Sequence, residues 1–218
     1  MKKYISLAAV LLAVPGVAQA QDQAAPFQGF YAGVEGGFDN FELGADLDLG
    51  DFDPDFAGTS VALDGLSADG AAGGVFAGYQ FGFGGGFLAV EGFARLSSAE
   101  MEMSASDGVD TVALRAEARE SYGAAARLGM KVARSTGVYG RVGWINTKFK
   151  TTLDDSVDVL TASETEDAIQ FGAGIETMVG PRTSIRAEYV KADYGEAGLG
   201  DGVSLDSGSF SAGLAFRF

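Results

Sequence analysis

The 218-residue sequence predicts an all-β fold, an eight-stranded antiparallel up-and-down β-barrel that crosses a membrane with its strands. Three observations carry this reading. Apolar residues alternate with small or polar ones at period two over most of the chain, the gaps between alternating segments run long, short, long, short, and no stretch after the N-terminal segment is apolar and long enough to span as a helix. Composition agrees, since 33 glycines, 4 prolines and 11% aromatics describe neither a disordered chain nor a collagen repeat.

The N-terminus comes first. Lys2 and Lys3 form a positive n-region, Ile5 to Val14 is an apolar run closed by Pro15 and Gly16, and Ala18-Gln19-Ala20 is an A-x-A cleavage site. Residues 1–20 therefore read as a cleaved signal peptide, 21–28 as a short N-terminal segment, and 29–218 as the barrel domain. The apolar run is shorter than the ~20 residues that a membrane span requires.

Eight strands follow by alternation. Phe30, Ala32, Val34 and Phe38 oppose Tyr31, Gly33, Glu35 and Gly37. Val75, Ala77, Tyr79 and Phe81 oppose Phe76, Gly78, Gln80 and Gly82, and Leu88, Val90, Gly92, Ala94 and Leu96 oppose Ala89, Glu91, Phe93 and Arg95. The fourth strand, ending at Met130, begins in an Ala-, Glu- and Arg-rich stretch of good helix formers. It is read as a strand because Arg115, Glu117, Arg119, Ser121 and Gly123 then share one face and the strand count becomes even. Val138, Val142 and Trp144 mark the fifth, Ile169 to Ile175 the sixth and Ile185 to Tyr189 the seventh. In the last, Phe210, Ala212, Leu214, Phe216 and Phe218 alternate with Ser209, Ser211, Gly213, Ala215 and Arg217.

The long gaps are expected at roughly 39–73, 97–112, 147–167 and 193–204, and the tight turns at 84–86, 133–137 and 180–182. Transmembrane barrels carry short turns toward the periplasm and longer loops outward. An immunoglobulin-like sandwich has no such asymmetry and needs one apolar face packed on another sheet.

The segments Gly29-Phe30-Tyr31-Ala32-Gly33, Val75 to Phe81, Ala89 to Phe93, Ala126 to Gly129, Arg186 to Tyr189 with Asp193-Tyr194-Gly195, and the terminal Ala215-Phe216-Arg217-Phe218 resemble the small eight-stranded outer-membrane barrels of Gram-negative bacteria, related to the OmpA transmembrane domain and the opacity-type porin-family proteins. The resemblance implies an outer-membrane location and contact with membrane lipid and lipopolysaccharide. It also implies an assembly signal in the last strand, here Phe210, Leu214, Phe216 and Phe218, read by the outer-membrane assembly machinery. The chain stops at Phe218, so a periplasmic cell-wall-binding domain like that of OmpA is not expected.

Inward faces carry Glu35, Glu91, Glu176 and Glu188 with Arg95, Arg127, Arg141 and Arg186. Buried charges are tolerated when paired, and an eight-stranded barrel is just wide enough for side chains to fill. A structural plug is the expectation, with a gated ion path as its alternative. A hairpin centred on Pro181 is expected to set Glu176 against Arg186. Trp144, Tyr79, Tyr122, Tyr189, Phe216 and Phe218 are outward candidates for interfacial girdles.

The first long gap holds Asp46, Asp48, Asp51, Asp53 and Asp55 without Lys or Arg, a possible weak cation-binding loop. Asp51-x-Asp53-x-Asp55 resembles the opening of an EF-hand, but Phe56 stands where Gly is needed and Ala62 where a bidentate Glu is needed. No dedicated metal site and no cofactor is expected.

Residue types exclude further classes. Without histidine or cysteine there is no imidazole base, thiolate or disulfide, and the lipid A deacylases, palmitoyltransferases, proteases and phospholipases that use such barrels rely on groups this chain lacks. No catalytic residue is expected. The formal charge is −15, and loss of Lys2 and Lys3 leaves 13 basic against 30 acidic residues, or −17, which repels nucleic acid. The functional expectation is a monomeric structural or surface-interaction protein serving envelope integrity, adhesion or lipopolysaccharide contact. A narrow porin-like channel, and binding of divalent cations or a host ligand by the acidic loops, are the alternatives.

Overall fold

The computed structural model describes residues 27–48, 60–106, 111–154, 159–195 and 203–218. Nine strands form one closed antiparallel sheet: β1 (Gly29–Asp48), β2 (Ser60–Phe83), β3 (Gly86–Ser97), β4 (Glu100–Ser106), β5 (Thr111–Lys131), β6 (Thr136–Asp154), β7 (Val159–Met178), β8 (Thr183–Asp193) and β9 (Val203–Arg217). Strands β3 and β4 are one crossing interrupted at Ser98 and Ala99, and both pair with β5, so the barrel has the eight crossings that alternation predicts. Pairing of β1 with both β2 and β9 closes it, so no edge is left at the level of the apolar belt.

Register fixes the shape. Following paired residues around the wall leads from Phe30 through Tyr79, Val90, Ala126, Val142, Phe171, Lys191 and Gly208 back to β1 at Asn40, a stagger of 40 − 30 = 10 residues. Eight strands with that stagger tilt by about 40° and enclose a lumen that side chains can fill.

The outward face is an apolar belt. Phe30, Val34 and Phe38 on β1, Val90 and Leu96 on β3 and Phe171 on β7 are each more than half exposed, a surface that only lipid can cover. At about 3.3 Å per residue and this tilt, Phe30 to Phe38 spans about 20 Å of membrane height. Above the belt the outward positions turn polar, with Asn40 donating to Asp69 (2.8 Å) and Asn146 to Asp167 (2.8 Å). Of the girdle candidates, Trp144, Tyr122, Tyr189, Phe216 and Phe218 are outward and exposed, while Tyr79 is half-buried between Phe30 and Phe81.

Three expectations need correction. The long gaps are mostly strand, since β1 continues to Asp48, β2 begins at Ser60, β6 runs to Asp154 and β7 starts at Val159. Beyond the lipid the outward face is wet, so ladders persist where apolar alternation has stopped. The single face drawn through Arg115 to Gly123 is broken by a register shift between Ala118 and Ser121; Ser121 lies inside while Arg115 and Arg119 are exposed. The N-terminal segment also reaches the barrel, because Phe27, with φ of 70°, buries its ring completely against Phe87. Of the acidic first gap, Asp46 and Asp48 have strand backbone, and Asp51, Asp53 and Asp55 lie outside the described residues.

Candidate functional site

The lumen is filled in layers, each built by alternate residues of facing strands. At the end with the tight turns, Phe27 stacks on Phe87 (centroids 5.2 Å apart) and Tyr139 meets Phe87 edge-on. Above them Arg217 donates to Gln80 (2.9 Å) and to Glu176, which also accepts from Ser184 (2.6 Å).

Arg127 is the centre. It pairs with Glu176 (3.3 Å), Glu91 (3.6 Å) and Glu188 (3.8 Å), donates to the Tyr31 hydroxyl (2.9 Å), and lies 4.8 Å from the centre of the Tyr139 ring. Tyr31 donates to Glu91 (3.0 Å) and Tyr139 to Glu188 (2.6 Å), so each tyrosine supplies a ring to the cation and a proton to one of its carboxylates. Arg141 completes Glu188 (2.9 Å) and covers Phe93.

One level up, Arg186 bridges Glu91 (2.6 Å) and Glu35 (3.0 Å) with its guanidinium over Phe76 at 3.4 Å. Arg95 then joins Glu35 (3.4 Å) to Asp39 (2.9 Å), and Ser209 donates to Asp39 (2.7 Å). All eight predicted inward charges are thus in the lumen. Glu176 and Arg186 are register partners as the Pro181 hairpin requires, but they form no ion pair. Arg186 reaches toward Glu91 and Glu35 across the barrel, while Glu176 is taken by Arg127 and Arg217. Register sets which residues are adjacent on the wall, and the guanidiniums instead solve the three-dimensional problem of neutralising every carboxylate.

Two charges and two hydroxyls of this network escape the sequence reading. Asp39 falls in a predicted gap, yet it continues the parity of Glu35 by four residues; Arg217 sits on the inward face of the last strand. With them, Glu35, Asp39, Glu91, Glu176 and Glu188 balance Arg95, Arg127, Arg141, Arg186 and Arg217, and the lumen is neutral. The roles of Tyr31 and Tyr139 required knowing which ring stands over which cation.

Toward the extracellular mouth the chemistry changes. Ser121, Thr147 and Tyr194 form a hydroxyl chain (3.0 and 2.8 Å), and Phe41, Phe149 and Tyr194 interlock above it with centroids 5.6 to 6.3 Å apart. Burial pushes the Tyr194 hydroxyl above its ordinary range, so it stays protonated and available as a donor.

Glycine makes room for the rings. Among the inward glycines, a Cβ at Gly33 would strike the Phe76 ring, at Gly78 Tyr31, at Gly123 Phe93, at Gly129 Phe87 and at Gly174 Tyr139. The aromatic layers lie flat on bare backbone, which is how a narrow lumen holds both rings and guanidiniums.

A closed barrel of this size with a lipid-facing belt and a neutral packed lumen defines a small outer-membrane barrel. The chain matches the outer membrane protein beta-barrel domain family over residues 6–218 and belongs to it, and it is an outer-membrane protein. Its fold is similar to that of Ail, the attachment invasion locus protein of Yersinia pestis (15% identity over 86% of this chain and 99% of that one, TM-score 0.46). It is similar as well to OprG of Pseudomonas aeruginosa (14%, 91% and 99%, 0.46) and to the outer membrane protease OmpT of Escherichia coli (7%, 87% and 96%, 0.50). At these identities the likeness concerns the fold alone. By sequence, no curated protein matches the chain.

Proposed function

We propose that this protein is a monomeric, non-enzymatic structural or surface-contact component of the outer membrane, exported by cleavage after Ala20. Its barrel holds an extracellular rim in place for envelope support, adhesion or lipopolysaccharide contact. The observation that supports this best is the continuous stack of paired guanidiniums and carboxylates from Arg217 to Arg95, closed by aromatic layers at both ends. Each carboxylate in it is held by at least one guanidinium, so opening a path requires breaking several buried pairs together, at several kcal/mol each. The sequence supports the non-enzymatic part, having no histidine or cysteine.

The test is single-channel recording of refolded residues 21–218 in a planar bilayer, with strand-type circular dichroism and a heat-modifiable gel band as folding controls. A silent membrane is expected. Discrete openings that persist at high salt would replace this reading with the narrow porin-like channel.

A further inference from the structure

Among the described residues, exposed Asp and Glu side chains are confined to one end of the barrel. At the periplasmic end, Lys131 closes β5, Arg134 stands in the turn before β6, and Arg182 in the turn before β8. Among the described residues no exposed Asp or Glu reaches that end; Glu176 is buried beneath Arg217, and the only opposing group is the terminal carboxylate of Phe218. The opposite end carries Asp69, Glu100, Asp167, Asp193 and Asp206, interspersed with Arg115, Arg119, Lys148, Lys150 and Lys191. An acidic chain thus keeps three described basic side chains, free of exposed Asp or Glu neighbours among the described residues, where its turns meet the inner leaflet.

The patch is held rigidly. Met178 N donates to Ser135 O (2.7 Å) and Arg217 N to Arg182 O (2.7 Å), tying the two turns to each other and to the last strand. Val132 N and Ala133 N both donate to Thr136 O, and Val179 N and Gly180 N to Thr183 O, so each turn is internally bonded. Beside each arginine is an exposed valine, Val132 at 57% and Val179 at 56%, with no protein surface covering it. An apolar side chain followed within three residues by a cation is the pattern of a segment lying at the boundary between acyl chains and headgroups.

We propose that Lys131, Arg134 and Arg182 form a docking surface for the phosphates of anionic phospholipid headgroups in the inner leaflet of the outer membrane. Depth favours lipid over a cell-wall polymer. Arg134 is two residues past Val132 and Arg182 three past Val179, at most about 10 Å of extended chain. The headgroup layer is about 5–8 Å thick on each side of the hydrocarbon. Side chains anchored there end among phosphates, which the guanidinium fork binds through paired N–H donors.

The experiment refolds residues 21–218, wild type and K131Q/R134Q/R182Q, in phosphatidylcholine bilayers containing spin-labelled phosphatidylglycerol or spin-labelled phosphatidylcholine. It reads the selectivity of the motionally restricted lipid, with the heat-modifiable gel band verifying folding. Wild type should prefer phosphatidylglycerol, and single Gln variants should each weaken that preference at the affected site by about fivefold. The triple variant should show none, and about 1 M salt, with a screening length of about 3 Å, should mimic it. Equal selectivity in wild type and triple variant, or none in wild type, would overturn the proposal. So would co-sedimentation of detergent-solubilised wild type, but not the variant, with lipid-free peptidoglycan sacculi, which would assign the patch to the cell wall.

Discussion

In the middle of the barrel, Arg127 is 1% exposed and lies within 4 Å of three carboxylates. At the rim, Lys148 holds Glu120 at 3.0 Å with about half of each side chain in water (44% and 55%). The distances are similar and the energetics are not. In the lumen neither partner can be hydrated, so loss of one strands the other in a low dielectric; at the rim water replaces a lost partner at once. The same pairing chemistry therefore locks the barrel below and merely decorates it above.

The sharpest way to break this comparison is Arg127→Met, which leaves Glu91, Glu176 and Glu188 short of positive charge. A loss of about 3–5 kcal/mol is expected, read from urea unfolding of the protein in lipid vesicles. A loss below about 1 kcal/mol would mean that water enters the lumen freely and that the two regions do not differ.

Next in size is the aromatic packing between the charges. Gly123→Val should cost about 1–3 kcal/mol, because even a Cβ there meets the Phe93 ring and the Trp144 carbonyl. Gly140→Ala is the control, as nothing lies within 4 Å of its added methyl, and its midpoint should stay within about 0.5 kcal/mol of wild type. In the hydroxyl layer, Tyr194→Phe should cost about 0.5–1.5 kcal/mol, measured in the same way, since it removes one end of the chain through Thr147 to Ser121.

The smallest effect belongs to the rim. Lys148→Ala should cost at most about 1 kcal/mol at neutral pH. The hydrogen bond from Lys148 holds the Glu120 carboxyl below its usual value of 4.5. A lowered folded-state value means that the contribution is complete above the usual value and is lost as pH falls through the lowered one. Melting temperatures of wild type and variant should therefore differ slightly at pH 7 and converge once the pH falls below the lowered value. A gap that persists in acid would show packing rather than charge.

The membrane-spanning half of the molecule was readable because lipid outside and a packed lumen inside impose opposite demands on successive residues. Phe30 to Phe38 and Phe210 to Phe218 show that demand as strict alternation, and parity alone sends Glu35, Glu91, Arg127 and Glu188 inward. The extracellular half carries no such signal, so the sequence assigns Asp39 to a gap and holds no trace of the register shift before Ser121. A bulge changes parity without leaving a mark in residue type when small residues build the inward face on either side of it, as Ala118 and Ser121 do here.

The sequence by itself determined the class, the crossing number and eight of the ten lumen charges, because each follows from local alternation, spacing or residue type. Tertiary structure decided who pairs with whom. Arg186 faces Glu176 across a hairpin yet reaches to Glu91 and Glu35, 95 and 151 residues away in sequence, because neutralising a closed, packed lumen is a global constraint that no local spacing encodes.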